Sequence, residues 1–365
     1  MHRFFFPTKD SFINSGSNPI SGEDFQDKNT GQDEILEIKK VFFNREFDYP
    51  TRTLVQFDTT EVESFLSSSN VAASDYEASL RLYETKGTSG LSEEYTIAAY
   101  PLSQEWDEGV GKEADTPKTT EGCSWLYRKN KDGASEISWT DAGGTHIVGD
   151  EVTQSFSSES PDINMDVTTI VQKWLNGTNT NYGFLLRISG SRETSTGSFE
   201  DIKFFSRQTH TIYSPKLEIK WDDHLPATGS NTGSLTSLDL SGNVENYLYP
   251  LHFREAYKEN EVVKFRFGAR KRYIDKSFTT SVQTVSGSYF AEGSASYSVI
   301  DMGTNESVVP FSAYTTMSCD SVSPYFKQDL NSFEPNRAYK IMVKVKHNDN
   351  QTIIYDDGFE FILRV

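Results

Sequence analysis

Residues 166–190, DVTTIVQKWLNGTNTNYGFLLRISG, and residues 203–221, KFFSRQTHTIYSPKLEIKW, decide the fold of this chain. The first stretch opens with apolar residues at the i, i+3, i+4, i+7 and i+8 spacing of one helix face, namely Val167, Ile170, Val171, Trp174 and Leu175. Asp166 is placed to cap this helix, and Asn176–Gly177 can end it because both residues tolerate a positive φ. The two stretches therefore predict one short helix, a turn, a buried strand and a closing strand.

Alternation of apolar and polar side chains predicts β-strands over most of the remaining chain. Phe184, Leu186 and Ile188 share a face, and Thr53, Val55 and Phe57 share another. One apolar face per strand is typical of antiparallel sheets that pack face to face. The sequence thus predicts an all-β protein with a jelly-roll-like sandwich and one short helix in its N-terminal region.

Length and composition agree with this fold class. A chain of 365 residues favours about two domains. Hydrophobic residues make up only 36% of the chain while aromatic residues reach 13%. Aromatic and β-branched residues fit half-buried pleated surfaces, so this balance favours wide, thin cores between sheets over one large helical core.

The chain divides by composition into three regions. Residues 1–222 form the predicted jelly-roll domain, and residues 223–242 are rich in Gly, Ser and Thr, which predicts a polar linker. Residues 243–365 are predicted to form an immunoglobulin-like β-sandwich. A strand of this third region has an alternating apolar face, formed by Tyr339, Ile341, Val343 and Val345. The last strand repeats the pattern with Phe359, Phe361, Leu363 and Val365.

Net charge and targeting signals narrow the function classes. The formal net charge is −18, which disfavours binding to nucleic acid or to anionic lipid. The opening MHRFFFPTKD lacks the ~7–15 apolar residues of a signal peptide, and no stretch reaches the ~20 apolar residues of a membrane span. Synthesis in the cytosol is therefore expected.

The two cysteines, Cys123 and Cys319, fall one in each predicted domain. Neither has a neighbour at the spacing of a metal or redox site, so both are expected to be small buried apolar residues. A disulfide framework is excluded.

Six sequence matches, in order, carry a resemblance over the first 222 residues. They are KDSFIN with NTGQDEILEIKK; RTLVQFDTTEV; ASLRLYE; QEWDEGVG with GCSW; DVTTIVQKWLNG with NYGFLLR; and FFSRQTHTIYSPKLEIKW. In these segments the chain resembles the DNRLRE-type domain, a β-jelly-roll family close to some carbohydrate-binding modules. Such domains occur in secreted wall-associated proteins, and they are similar to domains of structural proteins in tailed-phage particles. The resemblance therefore implies a phage virion protein, assembled in the host cytoplasm.

Two groups of residues are candidates for ligand binding. Aromatic side chains can stack on sugar rings, which makes Trp125, Tyr127 and Trp139 candidates for a glycan site. These three residues lie in a polar insert, residues 109–155, which is expected to be a loop. The alternative is that the three aromatic side chains form a small core of this insert and bind no ligand. Oxygen ligands suit calcium, so Asp24, Asp27 and Asp33 are candidates for a structural calcium site. Beyond that possible calcium ion, no cofactor is predicted.

Catalytic patterns are weak in this chain. The six histidines are scattered, no G-x-S-x-G occurs, and no catalytic residue is predicted. Glu105, Asp107 and Glu108 beside Trp106 could cleave glycans as a carboxylate pair, but a solvated loop with one anchored tryptophan explains them as well.

These observations predict a non-enzymatic structural component of a tailed-phage virion. It would act in the neck, collar or tail and attach to other virion proteins in several copies. The alternative is a carbohydrate-binding or adhesin module that contacts a cell-surface glycan. A glycan-cleaving enzyme is the third hypothesis.

Overall fold

The structure is a computed structural model that describes residues 1–17, 24–43, 47–85, 95–131, 135–156, 162–196, 199–241, 245–273, 278, 280–282, 287–347 and 351–365. Its contacts divide the chain into two compact units. The N-terminal unit is Phe4–Ile219, and the C-terminal unit consists of Met1–Arg3 with Lys220–Val365. Among the helices of the described residues, none has the length and apolarity to cross a bilayer.

The sheets of the N-terminal unit are built from the strands between His2–Phe5, of which Phe4 and Phe5 belong to this unit, and Lys216–Trp221, of which residues 216–219 belong to it. Within the described residues they are β1 (His2–Phe5), β2 (Pro7–Asn14), β3 (Ile35–Phe43), β4 (Phe47–Phe57), β5 (Tyr76–Leu82), β6 (Tyr95–Pro101), β7 (Tyr127–Asn130), β8 (Glu136–Ser138), β9 (Val152–Phe156), β10 (Ile163–Asp166), β11 (Phe184–Ile188), β12 (Phe199–Phe205) and β13 (Lys216–Trp221). The helices are α1 (Thr59–Ser68), α2 (Thr168–Leu175) and a 3₁₀ turn at Gly190–Arg192.

Two sheets make the sandwich of the N-terminal unit. Among the described strands, the smaller sheet has the order β1-β13-β5-β10. The larger has the order β12-β3-β4-β11-β6-β9, with β2 also paired to β4, and β7 and β8 form a separate hairpin. The pairings of β10 with β5 and of β2, β3, β4, β6, β9, β11 and β12 within the larger sheet are antiparallel, as the alternating apolar faces require. The all-β prediction is confirmed.

Helix α2 forms where the apolar stripe predicts it. Ile170, Val171 and Trp174 are buried, and the Trp174 ring lies 4.7 Å from the ring of Phe184 in β11. The Asp166 carboxylate accepts a hydrogen bond of 3.0 Å from the Thr168 amide at the helix start. Gly177 has φ +74° just after the helix ends. This is the left-handed conformation expected of a residue in that place.

Helix α1 is a second helix that the sequence analysis does not predict. Asp58 caps it by accepting a hydrogen bond of 2.8 Å from the Thr60 amide. Only Val62 and Leu66 of this helix are buried, so its apolar stripe is narrow. Its Phe65 ring lies 5.7 Å from the Phe5 ring in β1, so the helix packs against that strand.

The polar insert contains more regular structure than the expected loop. It contributes the β7–β8 hairpin, and β9 at its end pairs with β6 as the edge strand of the larger sheet. The insert also covers one face of that sheet with a small apolar core of its own. This core contains Ile13, Leu54, Ala98, Tyr100, Leu102, Trp106, Cys123, Trp139 and Leu185. Leu54 and Leu185 are buried for this reason, although alternation assigns them to the outer face of their strands.

The C-terminal unit is a second sandwich. Its strands in the described residues are β14 (Thr236–Ser237), β15 (Asn246–Leu251), β16 (Ala256–Lys258), β17 (Val262–Lys271), β18 (Ser288–Tyr289), β19 (Ala295–Asp301), β20 (Ser307–Val309), β21 (Ser318–Cys319), β22 (Pro324–Asp329), β23 (Ala338–Lys346), β24 (Thr352–Tyr355) and β25 (Glu360–Arg364). Short 3₁₀ turns lie at Ala313–Thr315 and Leu330–Ser332.

Two sheets also face each other in this second sandwich, as the described strands show. One has the order β14-β18-β17-β22-β21 with β15 on β17, and the other has the order β16-β25-β23-β19-β20 with β24 on β23. Aromatic rings fill the space between them, and Tyr297 stacks on Phe326 at 3.7 Å between ring centroids. The predicted β23 face is buried throughout, whereas Val365 lies beyond the last strand and is 75% exposed.

The segment 223–242 packs within the C-terminal unit where it is described. Leu238 and Leu240 are buried, and Thr236–Ser237 pairs with Ser288–Tyr289 as a parallel two-residue ladder. The boundaries of the predicted domains and of the linker stay predictions.

Candidate functional site

A polar pocket of about 690 Å³ opens on the larger sheet of the N-terminal unit. It is lined by Tyr95, Thr96, Thr153, Ser155, Phe156, Ser189, Gly190, Ser191 and Arg192. Five of these nine residues carry a hydroxyl on a short Ser or Thr side chain, and Arg192 carries a positive charge. The pocket is large enough for a small ligand and is rich in groups that both donate and accept hydrogen bonds.

The register of β6 with β9, and the residue that directly follows β11, place three hydroxyls side by side. Thr96 of β6 lies opposite Ser155 of β9, and their hydroxyl oxygens are 2.8 Å apart. On the other side of β6, the Ser189 amide donates a hydrogen bond of 2.8 Å to the Thr96 carbonyl. Paired residues in neighbouring strands point to the same face, so these three side chains form one row across the sheet. A second row runs from Arg187 through Ala98 to Thr153.

An aromatic pair also lines the pocket. Tyr95 stacks on Phe156 with ring centroids 5.1 Å apart, and both residues are buried. The Tyr95 hydroxyl is buried and has no hydrogen-bond partner among the described residues. Burial, with a further effect of the Glu84 charge, raises the pKa of this phenol, so it remains an O–H donor at neutral pH.

A buried ion-pair cluster holds the 189–193 segment beside the sheet. Glu193 is 4% exposed and accepts hydrogen bonds of 2.7 and 3.0 Å from Nε and Nη2 of Arg52. Arg187 donates a further hydrogen bond to the same carboxylate through Nη1. Because the two guanidiniums extend from neighbouring strands β4 and β11, the cluster fixes this segment at two points.

The same Arg52 side chain also holds the insert. Its Nη1 donates a hydrogen bond of 2.6 Å to the Gly143 carbonyl, and its guanidinium lies 4.8 Å from the Trp125 ring centroid. Gly143 has φ +86°, and a Cβ there would lie 2.6 Å from Trp125 Cζ2, so glycine is required at this contact. The pocket segment and the insert therefore share one anchor on β4.

The three predicted glycan residues occupy different environments. Trp139 is 4% exposed, and its Nε1 donates a hydrogen bond of 2.9 Å to the Ser124 carbonyl inside the insert core. Trp125 is half-buried, with Arg52 over its ring, and Tyr127 is half-buried in the β7–β8 hairpin. None of the three lines the 690 Å³ pocket. Their role in glycan binding stays a prediction.

The three predicted calcium ligands are tied to other groups. Asp27 pairs with the Lys118 ammonium at 2.5 Å, and Asp33 accepts a hydrogen bond of 2.8 Å from the Glu113 amide. Asp24 accepts a hydrogen bond of 2.9 Å from the Gln26 amide. Across the described residues, no group of three or more His, Cys, Asp or Glu side chains is arranged to hold a metal ion.

The carboxylates considered for glycan cleavage serve as anchors of the insert. Glu105 and Asp107 both pair with Lys129, at 2.9 and 3.4 Å. The hydrogen bond from Lys129 lowers the pKa of Glu105, which is the opposite of what a general acid needs. Glu108 accepts hydrogen bonds of 2.8 and 2.9 Å from Arg207 and one of 3.0 Å from Gln208.

Glu108 also lies beside a buried acid on β2. The Asp10 amide donates a hydrogen bond of 3.1 Å to Glu108, and Asp10 is 1% exposed. Asp10 Oδ2 accepts a hydrogen bond of 2.6 Å from the Arg207 amide, whereas Oδ1 has no partner among the described residues. Burial raises the pKa of Asp10 to about 8, and the nearby Glu108 charge adds to that shift.

The pocket residues were missed by the sequence analysis. A signal does exist, because Thr153 and Ser155 alternate along β9 and present two hydroxyls on one face. Nothing in the sequence shows that β9 pairs with β6. The Ser189–Arg192 turn lies beside these strands only in the folded protein.

No protein-family model matches the chain, and no curated protein matches it. One match among solved structures is the adhesin domain of Epf from Streptococcus pyogenes, with 8% sequence identity and a TM-score of 0.17. The match covers 100% of this chain and 92% of that one. A structure of botulinum neurotoxin type C, which depends on interaction with two ganglioside molecules to enter cells, gives 11% identity and a TM-score of 0.18, over 98% of this chain and 93% of that one. TM-scores this low carry no argument about the fold or the function of this chain.

Proposed function

We propose that this chain is a non-enzymatic attachment protein whose N-terminal unit binds a cell-surface glycan in the hydroxyl-lined pocket. The observation that carries the proposal is the row of hydroxyls in the pocket lining, formed by Thr96 of β6, Ser155 of β9 and Ser189, which directly follows β11. Sugars present closely spaced hydroxyls that both donate and accept hydrogen bonds. Ser and Thr hydroxyls match this chemistry because each of them can do the same.

The rigidity of the pocket supports the proposal. Thr96, Thr153 and Ser155 extend from paired strands, so their spacing is set before a ligand arrives. The turn that supplies Ser191 and Arg192 is held by the buried Glu193 cluster. A preorganised site spends less of its binding free energy on ordering its own side chains.

The residue types in the pocket favour binding over chemistry. The described lining includes no Asp, Glu, His, Cys or Lys that could act as an acid, a base or a nucleophile. Cys123 lies elsewhere and is fully buried, and burial raises the pKa of its thiol to about 12, so it is a poor nucleophile.

A glycan array tests this proposal. The wild-type chain is expected to bind at least one glycan class, and Ser155→Trp is expected to abolish that binding because the indole fills the pocket. Thr352→Trp places the same side chain on an exposed position of β24 and should bind as the wild type does. Retained binding in Ser155→Trp, or no binding by the wild type at high protein concentration, contradicts the proposal.

A second proposal concerns partners of the C-terminal unit. Exposed apolar side chains lie on its strands, with Val262 64%, Ile354 51% and Ile362 44% exposed. The virion hypothesis requires that such side chains form a docking surface for another protein subunit. The resemblance of the first 222 residues to DNRLRE-type domains motivates this hypothesis, with attachment in the neck, collar or tail. Peptide mapping of purified phage particles that never recovers this chain contradicts this placement.

A further inference from the structure

We propose that the C-terminal unit holds a second ligand site, at which Arg270 binds the carboxylate of an acidic sugar and two tyrosines contact the sugar ring. Strand register places Tyr247 of β15 opposite Arg270 of β17, and Tyr249 opposite Gly268. Paired residues share a face of the sheet, so these four residues form one surface. None of them lines the hydroxyl-lined pocket, so this site is independent of glycan binding there.

The two tyrosines form an aromatic surface on β15. Their ring centroids are 5.6 Å apart, and their planes lie within 22° of parallel. The Tyr249 ring crosses over Gly268, where an added Cβ would lie 2.3 Å from Cζ, so glycine is required beneath this ring. Tyr247 is 42% exposed, and Tyr249 is half-buried. Exposed aromatic rings of this kind can stack on the apolar face of a sugar ring.

Arg270 supplies the charge of the site. Its guanidinium lies 4.9 Å from the Tyr247 ring centroid, and its Nη1 donates hydrogen bonds of 3.1 and 3.4 Å to the carbonyls of Lys271 and Arg272. Within the part of the chain that the structure describes, Nε and Nη2 donate no hydrogen bond and no carboxylate pairs with Arg270. Neither nitrogen is among the buried polar atoms that lack a partner, so this edge of the guanidinium is open to solvent.

Arg52 has the same arrangement with a carboxylate in place. Its guanidinium lies 4.8 Å from the Trp125 ring centroid, and its Nη1 donates a hydrogen bond to a backbone carbonyl, that of Gly143. Its Nε and Nη2 bind the Glu193 carboxylate through hydrogen bonds of 2.7 and 3.0 Å. Arg270 repeats the ring contact and the carbonyl contact. A ligand carboxylate at Nε and Nη2 would supply the missing partner, in a bidentate geometry that a single hydroxyl cannot match.

Arg266, on the same face of β17, is a second arginine with a carboxylate in place. Its guanidinium lies 5.5 Å from the Tyr325 ring centroid and donates hydrogen bonds of 2.9 and 2.7 Å to the two oxygens of Asp320. Tyr325 is buried there. At Arg270, by contrast, the described residues supply no acid and Tyr247 is exposed, so this pair of ring and guanidinium remains accessible to a ligand.

The charges at this end of β17 also favour an anion. Arg270, Lys271 and Arg272 are three successive cations in a chain whose formal net charge is −18. Two acids lie near them. Asp239 pairs with Lys271 at 3.9 Å, and Glu245, whose carbonyl accepts a hydrogen bond of 2.8 Å from the Arg272 amide, forms no ion pair with a described residue. Three cations against two acids leave this strand end positive, which complements a carboxylate.

An acidic sugar matches both parts of the site. A uronate residue carries its carboxylate directly on a ring whose apolar face can stack on an aromatic side chain. The carboxylates of Asp and Glu are borne on short open chains, so an acidic peptide brings no ring beside the charge. The aromatic surface next to Arg270 therefore favours a uronate-containing glycan over an acidic peptide.

The test compares uronate oligosaccharides with their carboxyl-reduced forms, in which a primary alcohol replaces each carboxylate. Titration calorimetry uses the full chain with Ser155→Trp, which fills the pocket. At least ~10-fold tighter binding is expected for the acidic form, as one charge-assisted hydrogen-bond pair supplies. Arg270→Gln should remove this preference. Arg254→Gln, the matched control, should keep it, because Arg254 lies over Tyr257 and already pairs with Glu261.

A second variant tests the aromatic contact. Tyr247→Ser should weaken binding of the acidic and the reduced forms alike, by at least ~3-fold, because both carry the sugar ring. Equal binding of the two forms, or a preference that survives Arg270→Gln, overturns the site. Tighter binding of a glutamate-rich peptide of the same charge overturns the assignment to a sugar.

The pocket and this second site can fail separately. Neutral glycans lack the carboxylate that Arg270 binds, so neutral glycans decide the array test of Ser155→Trp. Loss of neutral-glycan binding in Ser155→Trp supports the pocket and leaves the site at Arg270 unaffected. Failure of every uronate oligosaccharide to bind Ser155→Trp overturns the site at Arg270 and leaves the pocket proposal standing.

Discussion

Arg52 and Glu193, which are 141 residues apart in the chain, are joined by two hydrogen bonds of 2.7 and 3.0 Å. Arg52 lies in the middle of the larger sheet, and Glu193 directly follows the turn that lines the pocket. The same arginine holds the insert through the Gly143 carbonyl. One side chain thus connects the sheet, the insert and the candidate site.

Replacement of Glu193 should destabilise the N-terminal unit. Glu193→Gln leaves two guanidiniums partly buried with no counter-charge, which costs about 3 kcal/mol in the free energy of unfolding. Urea denaturation followed by circular dichroism measures this loss. Asp356→Asn, which breaks an exposed pair with Lys340, should change stability by less than ~0.5 kcal/mol. Equal effects of the two variants contradict the anchor role of Glu193.

Trp139 and Trp125 should differ in how much they contribute to the stability of the folded protein. Trp139→Ala removes a ring buried in the insert core and is expected to cost about 3 kcal/mol of stability. Trp125 is half-buried and stacks on Arg52, so Trp125→Ala should cost about 1 kcal/mol. Thermal and urea unfolding of both variants measure the difference. If the Trp139→Ala protein is stable but no longer binds glycan, Trp139 is a ligand-binding residue and not a core residue.

Asp10 should make stability depend on pH. Its folded-state pKa of about 8 lies above the ~3.9 of an unfolded chain. The stability it contributes is therefore fully present below about pH 4 and is lost as the pH rises toward 8. Asp10→Asn keeps an acceptor for the Arg207 amide and removes the titration. In urea unfolding, the wild type should lose at least ~1 kcal/mol more stability between pH 5 and pH 9 than this variant does. Identical pH profiles contradict a buried, protonated Asp10.

Both cysteines should be unreactive in the native protein. Cys123 and Cys319 are free and buried, and burial raises the pKa of their thiols to about 12 and about 11. Because the thiolate is the reactive form, a disulfide reagent that reports free thiols should react slowly before denaturation and with both thiols after it. Fast reaction of one thiol in the native protein would show that its site opens readily.

The sequence predicts those elements whose signal is local. Helix α2 has a broad stripe ending in Trp174, and β23 alternates without interruption, so both are recognised from spacing alone. Helix α1 escapes prediction because only Val62 and Leu66 are buried on it, too few for a periodic signal.

The remaining features depend on contacts between distant segments. Leu54 and Leu185 face outward by alternation, yet the insert buries them, and no local pattern shows which face a loop will cover. The pocket likewise combines β6, β9 and the Ser189–Arg192 turn, whose residues are about 60 and 35 positions apart. Register, which sets these neighbours, follows from the whole sheet.

Glycan binding in the hydroxyl-lined pocket is tested most directly by an amide chemical-shift titration of the full chain with the tightest-binding glycan from the array. We expect the largest shifts at Thr96, Ser155, Ser191 and Arg192, and we expect them to saturate together. Shifts concentrated at Trp125 and Tyr127, with none at the pocket, would contradict binding at this site.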